Sequence, residues 1–349
     1  MIATGEASSR KGVFIASNES VYGPGAAAHE AIIDSARRVE RYPDDGTVRL
    51  AKSIGKRFSI DPRNICCGFG SDDLLARLAR AYLSPGDELI HSVHGYPKIP
   101  NYAYANDAIP VAARDKGFTA DVDAILEQVT EQTRIIMLAN PDNPAGTYVS
   151  GTEIRRLHSA LNSRVLLVLD SAYAEYVDAA DYENPTKLVE SSTNVVMTRT
   201  FSKVFGLAGL RVGWVCGPEE IIETLVRIGI TFPISVTALA ACEAALVDHA
   251  HVEMVVSENR RIRGIFSSEL SRLGIDTIPS QTNFVLAQFQ DPEQASQIHA
   301  ALEASGVYAR RLNGGEFGKC IRFTMGTEAE MERCVSALAS WLETHDSIP

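Results

Sequence analysis

No apolar run in the 349 residues approaches the roughly 20 needed to cross a bilayer, so a soluble protein is expected. The first residues, Met1 to Lys11, are small and polar and lack the apolar centre of a secretory signal. Cysteine is sparse: six, at positions 66, 67, 216, 242, 320 and 334, with no CxxC pair and no zinc-like spacing. They read as reduced thiols of a cytoplasmic protein. The pairs His91/His94 and His249/His251 come without a cysteine or carboxylate framework, so no metal is expected. Lys and Arg form no block and the net charge is −11, which disfavours a nucleic-acid partner. A small anion, held by a few local arginines, is compatible with that charge. A dinucleotide fingerprint is also incomplete, because Asp73 stands where the third glycine after Gly68 and Gly70 belongs.

With 45% hydrophobic residues, a chain of this length can bury one large core and a smaller one. Strand-like runs at Glu88 to Ser92, Arg134 to Ala139, Val165 to Leu169 and Asn194 to Thr198 alternate with helical periodicity at Ala26 to Arg38, Val48 to Phe58, Leu74 to Leu83, Asp121 to Gln128 and Glu219 to Arg227. That alternation implies an α/β fold, a mostly parallel sheet wrapped by helices. A long helix beginning near Thr237 leads to a compact α+β unit. It comprises Asn283 to Ala287, a helix from Pro292 to Ser305, Val307 to Arg311, Cys320 to Met325 and a final helix from Thr327 to Leu342. The expected division is a large domain of residues 30–240 and a small one of residues 1–29 with 241–349. The start of the chain, to about residue 16, is expected to gain order only by docking.

The chemistry concentrates in Thr200-Phe201-Ser202-Lys203-Val204-Phe205-Gly206-Leu207-Ala208-Gly209-Leu210-Arg211. Lys203 sits among small hydroxyls and a glycine-rich turn, with Arg211 two helical turns further on. A lysine amine suits an imine with an aldehyde, and the hydroxyls of Thr200 and Ser202 with the Arg211 guanidinium suit a phosphate dianion. The flanking Phe201, Val204, Phe205, Leu207 and Leu210 are too apolar for a solvated loop, which places both cations in a partly desolvated site. The segment resembles the cofactor-lysine motif of fold-type I pyridoxal-phosphate aminotransferases. Within them it is most similar to the histidinol-phosphate aminotransferase branch, over about Ser17 to Leu338.

Other stretches carry what that chemistry needs. Val165-Leu166-Leu167-Val168-Leu169 ends in Asp170, and ligands of parallel sheets bind beyond the carboxyl ends of strands. A carboxylate there suits a pyridinium nitrogen, although it also suits a helix N-cap. The resemblance implies that Tyr173 hydrogen-bonds the cofactor's ring oxygen and that Asn143, in Asn140-Pro141-Asp142-Asn143-Pro144, donates to the same oxygen. It implies that Gly70, Ser71 and Asp72 cradle the phosphate at a helix start, where Ser71 alternatively reads as a plain N-cap. Tyr96 matches the family's stacking aromatic. Tyr22 matches the tyrosine of the substrate-pocket lip, although Ser20-Val21 replaces the family's Asn-Pro. Tyr42 matches a tyrosine that reaches the phosphate of the neighbouring subunit, and it suits an ordinary turn equally well. Arg322 is the first choice for the substrate's anionic group and Arg310 the second. Arg311 stands where the family has proline, and Gly314-Gly315-Glu316-Phe317 lacks the usual Tyr-Gly.

The resemblance thus implies a homodimeric aminotransferase carrying pyridoxal phosphate. Its expected substrates are a small amino donor, histidinol phosphate first and aromatic amino acids second, and a 2-oxo acid such as 2-oxoglutarate. A decarboxylase of a phosphorylated amino acid would need the same residues on the same fold. A cofactor-binding regulator without turnover is the reading from another class, and the chain lacks an added basic DNA-binding segment.

Overall fold

The computed structural model describes residues 12–43 and 47–345. Its centre is a seven-stranded sheet in the order Ile65–Gly68, Gly213–Cys216, Val195–Thr200, Leu166–Asp170, Thr133–Ala139, Glu88–Ser92, Ile109–Ala113. All neighbouring pairs are parallel except those of Gly213–Cys216, which runs antiparallel between Ile65–Gly68 and Val195–Thr200. The central strands read as unbroken apolar runs because helices cover both faces, and Leu166 to Leu169 are all buried. Parallel strands bring their carboxyl ends together, so Asp170 pairs in register with Ala139 on one side and Thr198 on the other.

A second sheet, Asp276–Ile278, Phe284–Gln288, Cys320–Thr324 and Arg310–Arg311, is antiparallel throughout. Its core joins Ile262, Phe266 and Leu270 of the long helix His249–Arg272 to Val285, Ile321, Phe323, Met331 and Leu338. Val13 and Ile15 belong to this core, because Val13–Phe14 pairs in parallel with Val307–Tyr308. Helix Val236–Val247, which spans the boundary expected at residue 240, buries Ala238, Leu239, Ala241 and Cys242 in the core of the larger sheet. No helix among the described residues is long and apolar enough to cross a membrane.

Three local expectations change. The helix expected from Leu74 begins at Ser71, because Gly70 takes the cap position at φ 83° and the acidic pair Asp72-Asp73 suits the positive helix end. Ser71 is therefore the first helical residue rather than an N-cap. The run Val307 to Arg311 of the expected α+β unit is interrupted at Ala309, and its two halves are short strands with different partners. Residues between Lys203 and Arg211 form no pair of helical turns. After a bend, a short 3₁₀ turn at Ala208–Leu210 ends in Arg211 at φ 55°, which brings the guanidinium back beside Ser202.

Candidate active site

Lys203 follows the strand Val195–Thr200 at the carboxyl edge of the sheet. Its ammonium donates to the carbonyls of Asn18 at 3.2 Å and Ser17 at 3.5 Å, and lies 5.6 Å from the centre of the Tyr173 ring. The segment 17–24 reaches this position because Gly206, at φ 67°, packs directly on the backbone of Gly23, where a Cβ would collide. His251 touches the Gly23 carbonyl through Nε2 at 3.0 Å and fixes the same turn from the other side.

Asp170 ends the next strand, buried, and accepts from Thr198 Oγ1 at 2.8 Å. Burial pushes its carboxyl up to about 6; the Thr198 bond and the Lys203 charge oppose that rise, and nearby Asp72 adds to it. A buried carboxylate held by a hydroxyl and a backbone amide is short of a hydrogen-bonded cation among the described residues, and a protonated ring nitrogen supplies one.

The phosphate end is built from the helix Ser71–Tyr82. Gly70 makes no side-chain cap, so the first amides of that helix point outward as donors. Two glycines let the parts converge. A Cβ at Gly70 would sit 2.8 Å from Arg211 Nη2, and one at Gly213 would run into the Ser71 amide. Arg211 Nη1 donates to Ser202 Oγ at 3.2 Å and to the Ala208 carbonyl at 2.9 Å, while Thr200 Oγ1 accepts from the Ser202 amide at 3.1 Å. Helix amides, two hydroxyls and one guanidinium make a donor set for a dianion. The Asp72 carboxylate faces other partners, accepting from Tyr102 at 2.8 Å and Tyr96 at 3.2 Å. That bond orients the Tyr96 ring, whose hydroxyl is kept protonated by burial and by Asp72.

Arg322 lies at the other side, buried, with Nη1 donating to Asn143 Oδ1 at 2.5 Å and Nη2 to the Ala16 carbonyl at 2.8 Å. By occupying Oδ1 it turns the Asn143 NH₂ group away from itself. Burial lowers the Arg322 pKa to about 10, so the guanidinium is still charged at neutral pH, and its Nε has no partner among the described residues. Arg310 is its cross-strand partner and donates Nε to the same Ala16 carbonyl at 3.4 Å. Two cations sharing neutral acceptors leave an unmet demand for an anion. Arg311 instead donates to the Pro292 carbonyl.

Tyr22 lines a small cavity with Tyr176, Asn259, Asn283 and Met325. Tyr42 is exposed and stacks on Phe232, with ring centres 4.6 Å apart. One residue that sequence reading left without a role stands at the centre of the site. Asn18, buried at φ 58°, contacts Lys203, Tyr173, Asn283 and Thr324. Its partners lie up to 306 positions away, so the sequence marks the stretch through its likeness to the substrate-pocket lip and not Asn18 itself.

The donor set, the carboxylate and the amine fit pyridoxal phosphate, and the comparisons agree. Residues 11–338 match the family model for aminotransferase class I and II. The histidinol-phosphate aminotransferase of Rhodospirillum centenum is 44% identical over 333 residues, covering 94% of this chain and 91% of that protein. The Dinoroseobacter shibae protein of the same name is 43% identical over 327 residues, covering 94% and 90%. The crystal structure of histidinol-phosphate aminotransferase from Sinorhizobium meliloti in complex with pyridoxal-5'-phosphate superposes with a TM-score of 0.91 at 29% identity, over 96% of this chain and 92% of that one. By sequence and by fold this chain belongs to the class I and II aminotransferases and is a pyridoxal-phosphate-dependent transaminase.

Proposed function

We propose that the chain transfers an amino group from histidinol phosphate to a 2-oxo acid such as 2-oxoglutarate. The observation that carries this reading is the pair of buried Arg322 and half-buried Arg310, two guanidiniums whose partners are neutral oxygens, in a chain of net charge −11. They suit a carboxylate or phosphate on the substrate, and relatives 40–44% identical over 94% of the chain carry the name of that donor's enzyme. Bound pyridoxal phosphate supplies an electrophilic carbon and an electron-accepting ring.

In this reading the residues of the site divide the work. Lys203 anchors the cofactor and moves the proton at the donor's Cα. Asp170 keeps a positive charge on the ring nitrogen. Asn143 and Tyr173 donate to the ring oxygen, Tyr96 covers the ring face, and the backbone amides of Gly70, Ser71 and Asp72 hold the phosphate together with Thr200, Ser202 and Arg211. Tyr22 belongs to the lip of the substrate pocket.

We also propose a homodimer in which Tyr42 reaches the neighbouring site. Val39, Tyr42, Val48 and Phe232 leave apolar surface exposed in the single chain, and a second copy would cover it. The two cores support a large and a small domain, with the boundary inside helix His249–Arg272 rather than at residue 240, because Ala241, Cys242, Val252 and Val255 belong to the large core and Ile262 and Phe266 to the small one. Six free, buried cysteines support a cytoplasmic location.

The test is a donor screen with keto-acid readout on wild type and Lys203→Ala. Turnover of histidinol phosphate at least tenfold above that of aromatic amino acids, abolished in Lys203→Ala, is expected. Preference for an aromatic donor, or release of carbon dioxide, overturns the substrate assignment.

A further inference from the structure

Asn18 is a short polar residue in a left-handed conformation, which Asn tolerates better than most side chains. The Asn18 amide N–H donates to Thr324 Oγ1 at 3.0 Å, and Thr324 Oγ1 in turn lies 3.0 Å from Asn18 Oδ1. Because the hydroxyl accepts from the backbone, its own hydrogen is free for Oδ1, and that bond decides which way the side-chain amide faces. The NH₂ group is thereby directed at Tyr173, donating to its hydroxyl oxygen at 2.9 Å. A phenol that accepts from Asn18 must send its own hydrogen elsewhere. The Asn18 carbonyl meanwhile accepts from Asn283 Nδ2 at 3.1 Å and from Lys203 Nζ at 3.2 Å.

We propose that Asn18 is a positioning residue that forces the Tyr173 hydroxyl to act as a donor toward the cofactor's ring oxygen, with Thr324 setting the orientation of its amide. The proposal rests on the assignment of Tyr173 to that oxygen. All three residues are buried, so no bulk water competes for the phenol hydrogen. The arrangement also ties the start of the chain, the second sheet and the large sheet to one proton position.

The test is the pH midpoint of the cofactor's visible absorbance band in protein loaded with pyridoxal phosphate. A donor to the ring oxygen favours its anionic form, so losing the donor raises the midpoint. Tyr173→Phe is expected to raise it by about one pH unit, the scale of a hydrogen bond to a charged group. Asn18→Ala is expected to raise it by about half a unit, and to add nothing in the Tyr173→Phe background. Thr324→Val, which frees the amide to rotate, moves the midpoint in the same direction and serves if Asn18→Ala does not fold. An unchanged midpoint in Asn18→Ala and Thr324→Val, or the same shift with and without Tyr173, overturns the proposal while leaving the Tyr173 assignment intact. An unchanged midpoint in Tyr173→Phe removes that assignment and the proposal with it.

Discussion

Asp170→Asn in the cofactor-free protein isolates the central electrostatic feature of the site. Burial raises the carboxyl from 3.8 to about 6, which is about two pK units and therefore ~3 kcal/mol of stability at ~1.36 kcal/mol per unit. The sign follows from proton binding. The folded state holds this proton more tightly than the unfolded state, so its contribution is full below pH 3.8, falls as pH rises, and is lost above about 6. Asparagine offers the Thr198 hydroxyl and the Ala172 amide one acceptor oxygen in place of two, a loss of about 1 kcal/mol. Cofactor-free Asp170→Asn is therefore expected to be ~2 kcal/mol more stable than wild type at neutral pH. Near pH 4 the advantage vanishes or reverses. Urea denaturation of both proteins across that range measures the difference, in which the other titrating groups cancel. With pyridoxal phosphate bound the order reverses at neutral pH, since only the aspartate pairs with a ring cation. A stability difference that stays flat from pH 4 to 7 refutes the reasoning.

Gly206→Ala places a methyl group against the Gly23 carbonyl and imposes φ 67° on alanine, so about 2–5 kcal/mol is lost and the denaturation midpoint falls; an unchanged midpoint would contradict the contact. Arg322→Ala removes the buried cation proposed to hold the substrate's anion and is expected to lower kcat/KM by about 100-fold or more, while cofactor absorbance is retained. Equal losses for anionic donors and their uncharged analogues would count against that role. Mixing Lys203→Ala with Tyr42→Ala should recover activity, because a mixed dimer contains one site with both side chains intact. No recovery would place Tyr42 outside the neighbouring site.

Residues whose place at the site follows from local pattern were legible before the fold. Asp170 ends five apolar residues, and Lys203 sits in a motif whose spacing is set by the turn that follows the strand. Roles created by distant packing were not legible. Asn143 faces Arg322 across 179 positions, and Asn18 meets Tyr173 across 155, so neither contact leaves a periodic trace. The edge strand Ile109–Ala113 was missed because Pro110 weakens a strand signal, although an edge tolerates it. The strand Gly213–Cys216 was missed because four residues beginning with glycine give too little alternation. The start at Ser71 was read late because Asp72 and Asp73 look like a turn in isolation, whereas the helix dipole favours them in the first turn.

Borohydride reduction of the pyridoxal-phosphate-loaded protein, followed by peptide mass spectrometry, tests the account most directly. A single pyridoxyl-modified lysine at position 203 is the predicted result. Modification at an exposed lysine such as Lys98 instead, with Lys203 unlabelled, would contradict it.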